Sequence, residues 1–396
     1  MNEPIMITDD VFWVGVNDRE TDLFESLWPL PHGIAYNSYL IKDEKIALID
    51  TVKINSISVF LDKISGITGD RKIDYLIINH MEPDHSGSIK PLVDRFPDIK
   101  IVGNSKTLKL LDSFYGLKEN TMEVKDGDEI DLGSRKLTFH LTPMVHWPET
   151  MMTYDEKDKI LFSGDAFGSY GALNGGLFDD EVCVNFYEDE IWRYYSNIVA
   201  KFSPMVQKAL IKLKDLDIRV IASTHGPVWR KDPGYIVDLY DRMSRQETER
   251  GIVIAYASMY GNTKTMVEMM ARALSRQGVE RIKVLDVSRT HPSFVLREVW
   301  KYRGLLLASP TYNLGVLPTM QNLVHILDES NVRNHVIGVF GTYGWSGGGV
   351  RKLEEFAGKP NWTLVEPVVE ANCMPKPDDL EGLDKLARNF VQAIDG

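Results

Sequence analysis

Cysteine is nearly absent. Two residues in 396, Cys183 and Cys373, cannot build a disulfide framework. They stand too far apart for a Cys-x-x-Cys site, so a reducing cytoplasm is the expected compartment. Basic residues are also in the minority. The 45 Lys and Arg against 57 Asp and Glu leave a formal charge of −12, which argues against a nucleic-acid binder and against an anionic membrane surface as partner. The start, Met1-Asn2-Glu3-Pro4, lacks the basic and then apolar stretches of a signal peptide. The longest uncharged run, Gly304 to Leu327, is long enough to span a bilayer. Pro310, Asn313, Gly315, Pro318 and Asn322 interrupt it, so it reads as strand, loop and helix. No Gly-x-x-x-x-Gly-Lys-[Ser/Thr] occurs, and no Gly-x-Gly-x-x-Gly follows a predicted strand, which disfavours nucleoside triphosphates and dinucleotides.

What is present is a globular composition, 43% hydrophobic and 26% charged, in a chain long enough for two domains. The first 70 residues read as paired strands at Val11–Val16, Ala35–Ile41 and Lys45–Asp50, then a helix at Ile57–Ile64. Further strands are expected at Ile99–Gly103, Lys136–Leu141, Lys159–Ser163 and Arg219–Ser223. Helices are expected at Lys106–Tyr115 and from Glu188, with Pro204 marking a break. Tyr235–Arg250 reads as a polar connector. Strict alternation of strand and helix follows, with strands at Ile252–Ala257, Ile282–Val287, Gly304–Ala308, His335–Phe340 and Thr363–Val369 and a last helix over Asp378–Ala393. That pattern predicts a doubly wound five-stranded parallel sheet in residues 250–396, behind a separate domain of residues 1–249.

The stretch with most chemistry is His80-Met81-Glu82-Pro83-Asp84-His85. Four metal-ligand types fall in six residues, directly after the apolar Tyr75-Leu76-Ile77-Ile78, which reads as a buried strand. A strand aims His80, and a short loop lets Glu82, Asp84 and His85 converge. His146, Asp165 and His225 likewise follow predicted strands, so one sheet edge would gather all seven. Seven ligands exceed what one metal takes and suit two, with one carboxylate bridging. In the second half, Ser258-Met259-Tyr260-Gly261-Asn262-Thr263 links the first strand to a helix, and free N–H groups at a helix start attract anions. Pro310-Thr311-Tyr312-Asn313 follows the third strand and Thr342-Tyr343-Gly344-Trp345-Ser346-Gly347 the fourth. Tyr312 and Trp345 offer flat faces for a ring system, and the glycines permit close backbone approach.

The metal spacing resembles the metallo-β-lactamase superfamily, an αβ/βα sandwich whose usual motif is His-x-His-x-Asp-His with a distant His, Asp and His. Glu82 stands where the second histidine is expected. Added carboxylate suits iron rather than zinc, and His-x-Glu-x-Asp-His is the pattern of the flavodiiron proteins. The second half is similar to flavodoxin, with FMN phosphate in the first loop and isoalloxazine between the other two. The resemblance covers the whole chain in the family's domain order. It implies one iron at His80, Glu82 and His146, a second at Asp84, His85 and His225, and Asp165 between them. It implies reduction of O2 to water, of NO to N2O, or both, with electrons passing through FMN. The chain lacks Cys-x-x-Cys pairs, so no rubredoxin module is expected on it and a separate rubredoxin-like donor is implied. Tyr195 and His32 are the candidates for proton delivery. A dizinc hydrolase and a flavodoxin-type carrier with a vestigial metal site are the alternatives; Glu82 and the flavin loops oppose the first, the complete ligand set the second.

Assembly follows from the linker. The connector enters the second domain near Gly251, and the Ser258–Thr263 loop lies at the far end of a six-residue strand, a rise of roughly 20 Å. The flavin is therefore expected on the edge remote from its own junction. A head-to-tail homodimer would bring each flavin to the partner's irons, and the family resemblance implies the same.

Overall fold

The computed structural model describes residues 4–396. Contacts divide the chain into two compact units, Met1–Ser244 and Arg245–Gly396. The helix Pro233–Ser244, expected as part of a connector, belongs to the first unit. It buries Ile236, Leu239, Tyr240 and Met243, and the Tyr240 hydroxyl donates to the Gly168 carbonyl at 3.2 Å.

The first unit is built on two sheets. One runs in the order Ile5–Thr8, Val11–Trp13, Tyr39–Lys42, Ile46–Ile49, Tyr75–Ile77, Lys100–Gly103 and Thr121–Glu123. Its first four strands pair antiparallel and the remaining pairings are parallel. The other orders Glu129–Asp131, Lys136–Leu141, Met151–Asp155, Ile160–Gly164 and Val220–Ser223, and only its last pairing is parallel. Tyr39, Ile41, Ile49, Ile77 and Val102 of the first share one buried cluster with Leu137, Phe139, Met151, Ile160 and Phe162 of the second. That is the core of a sandwich, with one apolar face from each sheet.

Some expected elements take other forms. Ala35–Ile41 is two strands: Ile34–Tyr36 pairs with Val16–Asp18, and Tyr39–Lys42 joins the main sheet. The hexapeptide runs into a short helical turn, Pro83–Ser86, and then the helix Ile89–Arg95. The helical stretch expected from Glu188 starts at Asn185, runs to Tyr194, passes through a π-helical turn at Tyr195–Val199, and resumes as Ser203–Leu213. Pro204 opens that last helix, because at its first turn no N–H is needed.

The second unit is a parallel sheet in the order Ile282–Asp286, Glu249–Tyr256, Tyr302–Tyr312 and His335–Tyr343. Trp362–Leu364 and Val369–Asn372 both pair parallel with His335–Tyr343, where one strand was expected. Residues 252–256 are buried without alternation, as a sheet covered on both faces requires. Met266, Met270, Leu386 and Phe390 of two helices pack on Ile254, Leu306 and Phe340. No described helix is long and apolar enough to cross a membrane.

Candidate metal and flavin sites

Four segments at the ends of first-unit strands bring the seven expected side chains together. Asp165 is the centre. Its Oδ2 lies 2.9 Å from His146 Nε2 and 3.6 Å from His80 Nε2. Its Oδ1 lies 3.1 Å from His85 Nε2 and 3.5 Å from His225 Nε2. Glu82 Oε2 sits 3.1 Å from His146 Nε2 and 3.4 Å from His80 Nε2. Asp84 reaches His225 at 3.2 Å and His85 at 3.5 Å. One half thus comprises His80, Glu82 and His146, the other Asp84, His85 and His225, and each faces a different oxygen of Asp165.

These donors are aimed but not satisfied. Nε2 of His80, His85 and His225 and both Asp84 oxygens are buried and make no hydrogen bond within the protein. Buried polar atoms without partners are costly. Here they converge: donor atoms of His80, Glu82, His85 and Asp165 lie within 4.8 Å of one another, as do those of Asp84, His85 and His225. Burial disfavours charged imidazole, yet the neighbouring carboxylates outweigh it and raise His146 to about 9 and His225 to about 10. The cluster therefore demands positive charge, which metal ions supply as well as protons do. The nitrogen and carboxylate set fits iron.

Two of the four rings are oriented from behind. Glu149 Oε1 lies 2.6 Å from His80 Nδ1 and accepts from the Met81 N–H at 3.0 Å. The Ala35 carbonyl lies 2.8 Å from His225 Nδ1, and Thr224 Oγ1 donates to Asp165 Oδ1 at 2.5 Å. Asn104 caps the helix Ser105–Tyr115 through the Lys106 and Thr107 N–H groups, and its own amide donates to the Glu149 carbonyl. A helix cap thereby fixes the loop that carries Glu149. Nothing local in the sequence marks Glu149, Thr224 or Asn104 for these roles.

The structure places the two residues expected to deliver protons, His32 and Tyr195, in other surroundings. His32 is exposed and lines a surface cavity with Phe186 and Tyr187 rather than the cluster. The Tyr195 hydroxyl pairs with Ser203 Oγ at 2.9 Å, and its ring packs on Tyr240. The preceding residue, Tyr194, faces the cluster. Its ring centroid is 5.6 Å from that of His225, and its buried hydroxyl has no partner. Successive helical side chains point about 100° apart, so a one-residue error changes the face. Glu25 was not foreseen either. It sits at φ 51 on the turn between Leu23–Phe24 and Trp28–Pro29, takes a 3.1 Å hydrogen bond from Trp28 Nε1 and is open to solvent on one side. Burial on the other side and the Glu82 charge push its carboxyl up to about 7.

In the second unit, a cavity of about 250 Å³ is lined by Ser258, Met259, Tyr260, Asn262, Thr263, Pro310, Thr311, Tyr312, Asn313, Thr342, Tyr343, Gly344 and Trp345. Gly261 is not in its wall but starts the helix Asn262–Arg276 at φ 94, a conformation other residues resist. Gly347 lies outside the wall, beside the Glu370 carboxylate. Cys373, which the sequence reading did not select, also lines the cavity, brought there by the strand Val369–Asn372. Tyr260 and Trp345 are 91% and 90% exposed, flat faces beside a cleft at a helix N-terminus. Hydroxyls at one end and aromatics at the other match a flavin mononucleotide.

Comparison with known proteins agrees with both halves. Residues 34–226 match the family described as ODP family beta lactamase, and residues 254–383 match flavodoxin. The chain is 34% identical over 399 residues to the nitric oxide reductase of Moorella thermoacetica, covering all of both. It is 35% identical to an anaerobic nitric oxide reductase flavorubredoxin of Salmonella arizonae, over 88% of this chain and 74% of that one. Among solved structures, the rubredoxin oxygen:oxidoreductase of Desulfovibrio gigas superposes with a TM-score of 0.95 at 30% identity, covering 99% of this chain and 98% of that one. The flavodiiron protein of Giardia intestinalis superposes with a TM-score of 0.93 at 27% identity, covering 98% and 96%. A lactamase-like unit with a two-centre ligand cluster, followed by a flavodoxin-like unit, in a chain that aligns end to end with the Moorella reductase and the Desulfovibrio structure, makes this protein a member of the flavodiiron family.

Proposed function

We propose that this chain is an oxidoreductase that reduces O2 to water, NO to N2O, or both, with electrons entering through FMN from a rubredoxin-like donor. The observation that carries the reading is the convergence of unpartnered, buried donor atoms around Asp165 in a chain that also holds a flavodoxin-type cleft. His80, Glu82 and His146 would hold one iron and Asp84, His85 and His225 the other, with Asp165 facing both. When bound, the two irons and the flavin would together supply the four electrons that O2 needs, or the two that a pair of NO needs.

The protein's own part is orientation and proton supply. Glu149 and the Ala35 carbonyl engage Nδ1 of His80 and His225 and so turn each Nε2 inward. Thr224 keeps Asp165 centred. The Tyr194 hydroxyl is a buried, uncommitted proton donor on the His225 side, and Glu25, between solvent and Glu82, is the route of resupply. The Ser258–Thr263 loop would take the FMN phosphate, with Gly261 setting its turn, and Tyr312 and Trp345 offer faces for the ring. The protein acts in the cytoplasm as a head-to-tail homodimer, each flavin serving its partner's irons.

An anaerobic stopped-flow experiment tests this. The protein is reduced, mixed separately with O2 and with NO, and flavin and iron oxidation are followed. At least one gas should reoxidise both centres within the turnover time. If both gases oxidise the protein no faster than free reduced FMN, the reading fails.

A further inference from the structure

The first unit contains a second cavity that the proposed reaction does not use. It measures about 420 Å³, and its lining includes Trp13, Val16, Arg19, Val59, Lys63 and Leu173. That volume falls in the lower part of the roughly 300–1,000 Å³ range of small-molecule sites. Arg19 and Asn17 are exposed and mark its mouth.

Lys63 is the anomaly. It projects from the helix Ile57–Thr68 and is only 2% exposed. Its ammonium donates to the Gly15 carbonyl at 2.6 Å and lies 4.0 Å from the centroid of the Trp13 ring. Gly15 permits this approach, because a Cβ there would fall 2.4 Å from the Tyr36 carbonyl oxygen and 2.6 Å from Trp13 Nε1. An ammonium has three donors, and one carbonyl and one π face leave it short of partners. Among the described residues, no Asp or Glu lines the cavity and none pairs with Lys63. Arg19 adds a second cation, held by the Leu173 carbonyl and Asn174 Oδ1 at 2.9 Å each, again without a carboxylate. Buried charge is retained in proteins when something compensates it. Burial alone brings the Lys63 ammonium down to about 8, which accords with a missing counter-charge.

Val16, Val59, Leu173 and the Trp13 ring form an apolar part of the wall, next to the polar Asn17 and Ser56. We propose that this cavity binds a small organic carboxylate with an apolar tail, its carboxylate between Lys63 and Arg19 and its tail against Trp13, Val59 and Leu173. A cationic end fixes orientation and the apolar walls provide contact area, the usual division in small-ligand sites. Inorganic anions lack the tail, and a neutral alcohol lacks the charge.

Isothermal titration of the full-length holoprotein with sodium hexanoate, 1-hexanol and sodium chloride tests the assignment. Hexanoate should bind saturably with one site per chain, 1-hexanol at least tenfold more weakly, and chloride without saturation. Lys63→Met should weaken hexanoate at least tenfold. Val59→Phe, which fills the cavity, should abolish binding. Both variants should keep the wild-type flavin and iron absorption. Carboxylates also coordinate iron, so the spectrum is read during titration: hexanoate should leave the iron bands in place. Absence of saturable hexanoate binding, equal affinity in Lys63→Met, or binding that shifts the iron bands and survives Val59→Phe would each overturn the proposal. Should Lys63→Met fail to accumulate, Val59→Phe decides alone, with lost binding in support and retained binding against.

Discussion

Adjacent tyrosines meet different surroundings in this protein, Tyr194 beside His225 and Tyr195 against Ser203 and Tyr240. Tyr194 and Tyr195 share a composition cue, and only the helix phase tells them apart. Tyr194→Phe removes the hydroxyl beside His225 while keeping the ring, so FMN and iron content should hold while turnover falls, by about 10²-fold if the hydroxyl acts as a general acid. Tyr195→Phe should leave turnover near the wild-type value, because its hydroxyl serves Ser203. Steady-state gas consumption by the two variants, with metal and flavin analysis, checks this pair. Lys63 offers a second test, through stability. Its folded-state value of about 8 lies below the ordinary 10.5. The unfolded chain therefore holds the proton more tightly, and between these values it binds more protons than the folded chain. Stability must rise with pH across that window. The cost of burying the charge is fully present below pH 8, on the order of 1–3 kcal/mol, and fades toward the ordinary lysine range. Urea unfolding of wild type and Lys63→Met at pH 7 and pH 10 should show the gap shifting in favour of wild type at the higher pH. A gap independent of pH would mean the ammonium is satisfied where it lies.

At the scale of elements, the sequence shows strands and their ends better than it shows what surrounds them. His80, His146, Asp165 and His225 were legible because each follows an apolar run. Met151–Asp155 was missed because all five of its residues are buried, including Thr153 and Asp155, so polarity does not mark it. The break expected at Pro204 is where the helix Ser203–Leu213 begins, the end of a helix at which proline's missing N–H costs nothing. Cys373 and Glu149 reach their sites through strand pairing and loop closure across long separations, which no local pattern encodes. The loop after His335–Tyr343 was legible from its glycines, and it carries the clearest element-level prediction. Trp345→Ala should weaken FMN binding by roughly 1–3 kcal/mol, the worth of a buried aromatic face. Fluorescence titration of flavin-free protein measures it, and iron content should not change. Unaltered affinity would remove Trp345 from the flavin's surroundings.

For the whole molecule, the proposed head-to-tail dimer places the two centres of one electron path on different chains. Mixed dimers test this directly. One subunit carries Trp345→Ala and the other Asp165→Ala, so that the sound flavin and the sound irons belong to different subunits. Rapid flavin-to-iron transfer in the hybrid is expected. A silent hybrid would mean that electrons travel within a chain. The exposed ring of Trp345 has a further consequence, of a colloidal kind. Before FMN is loaded, Tyr260, Tyr312, Leu314 and Trp345 all stand open to water, and apolar surface of that sort adheres to its like. What keeps such molecules apart in dilute buffer is mutual repulsion from a formal charge of −12. Added electrolyte shortens the reach of that repulsion to about 3 Å at 1 M. Flavin-starved preparations should therefore cloud at lower salt than flavin-replete ones, and simple light scattering would sort the two before any spectrum is taken.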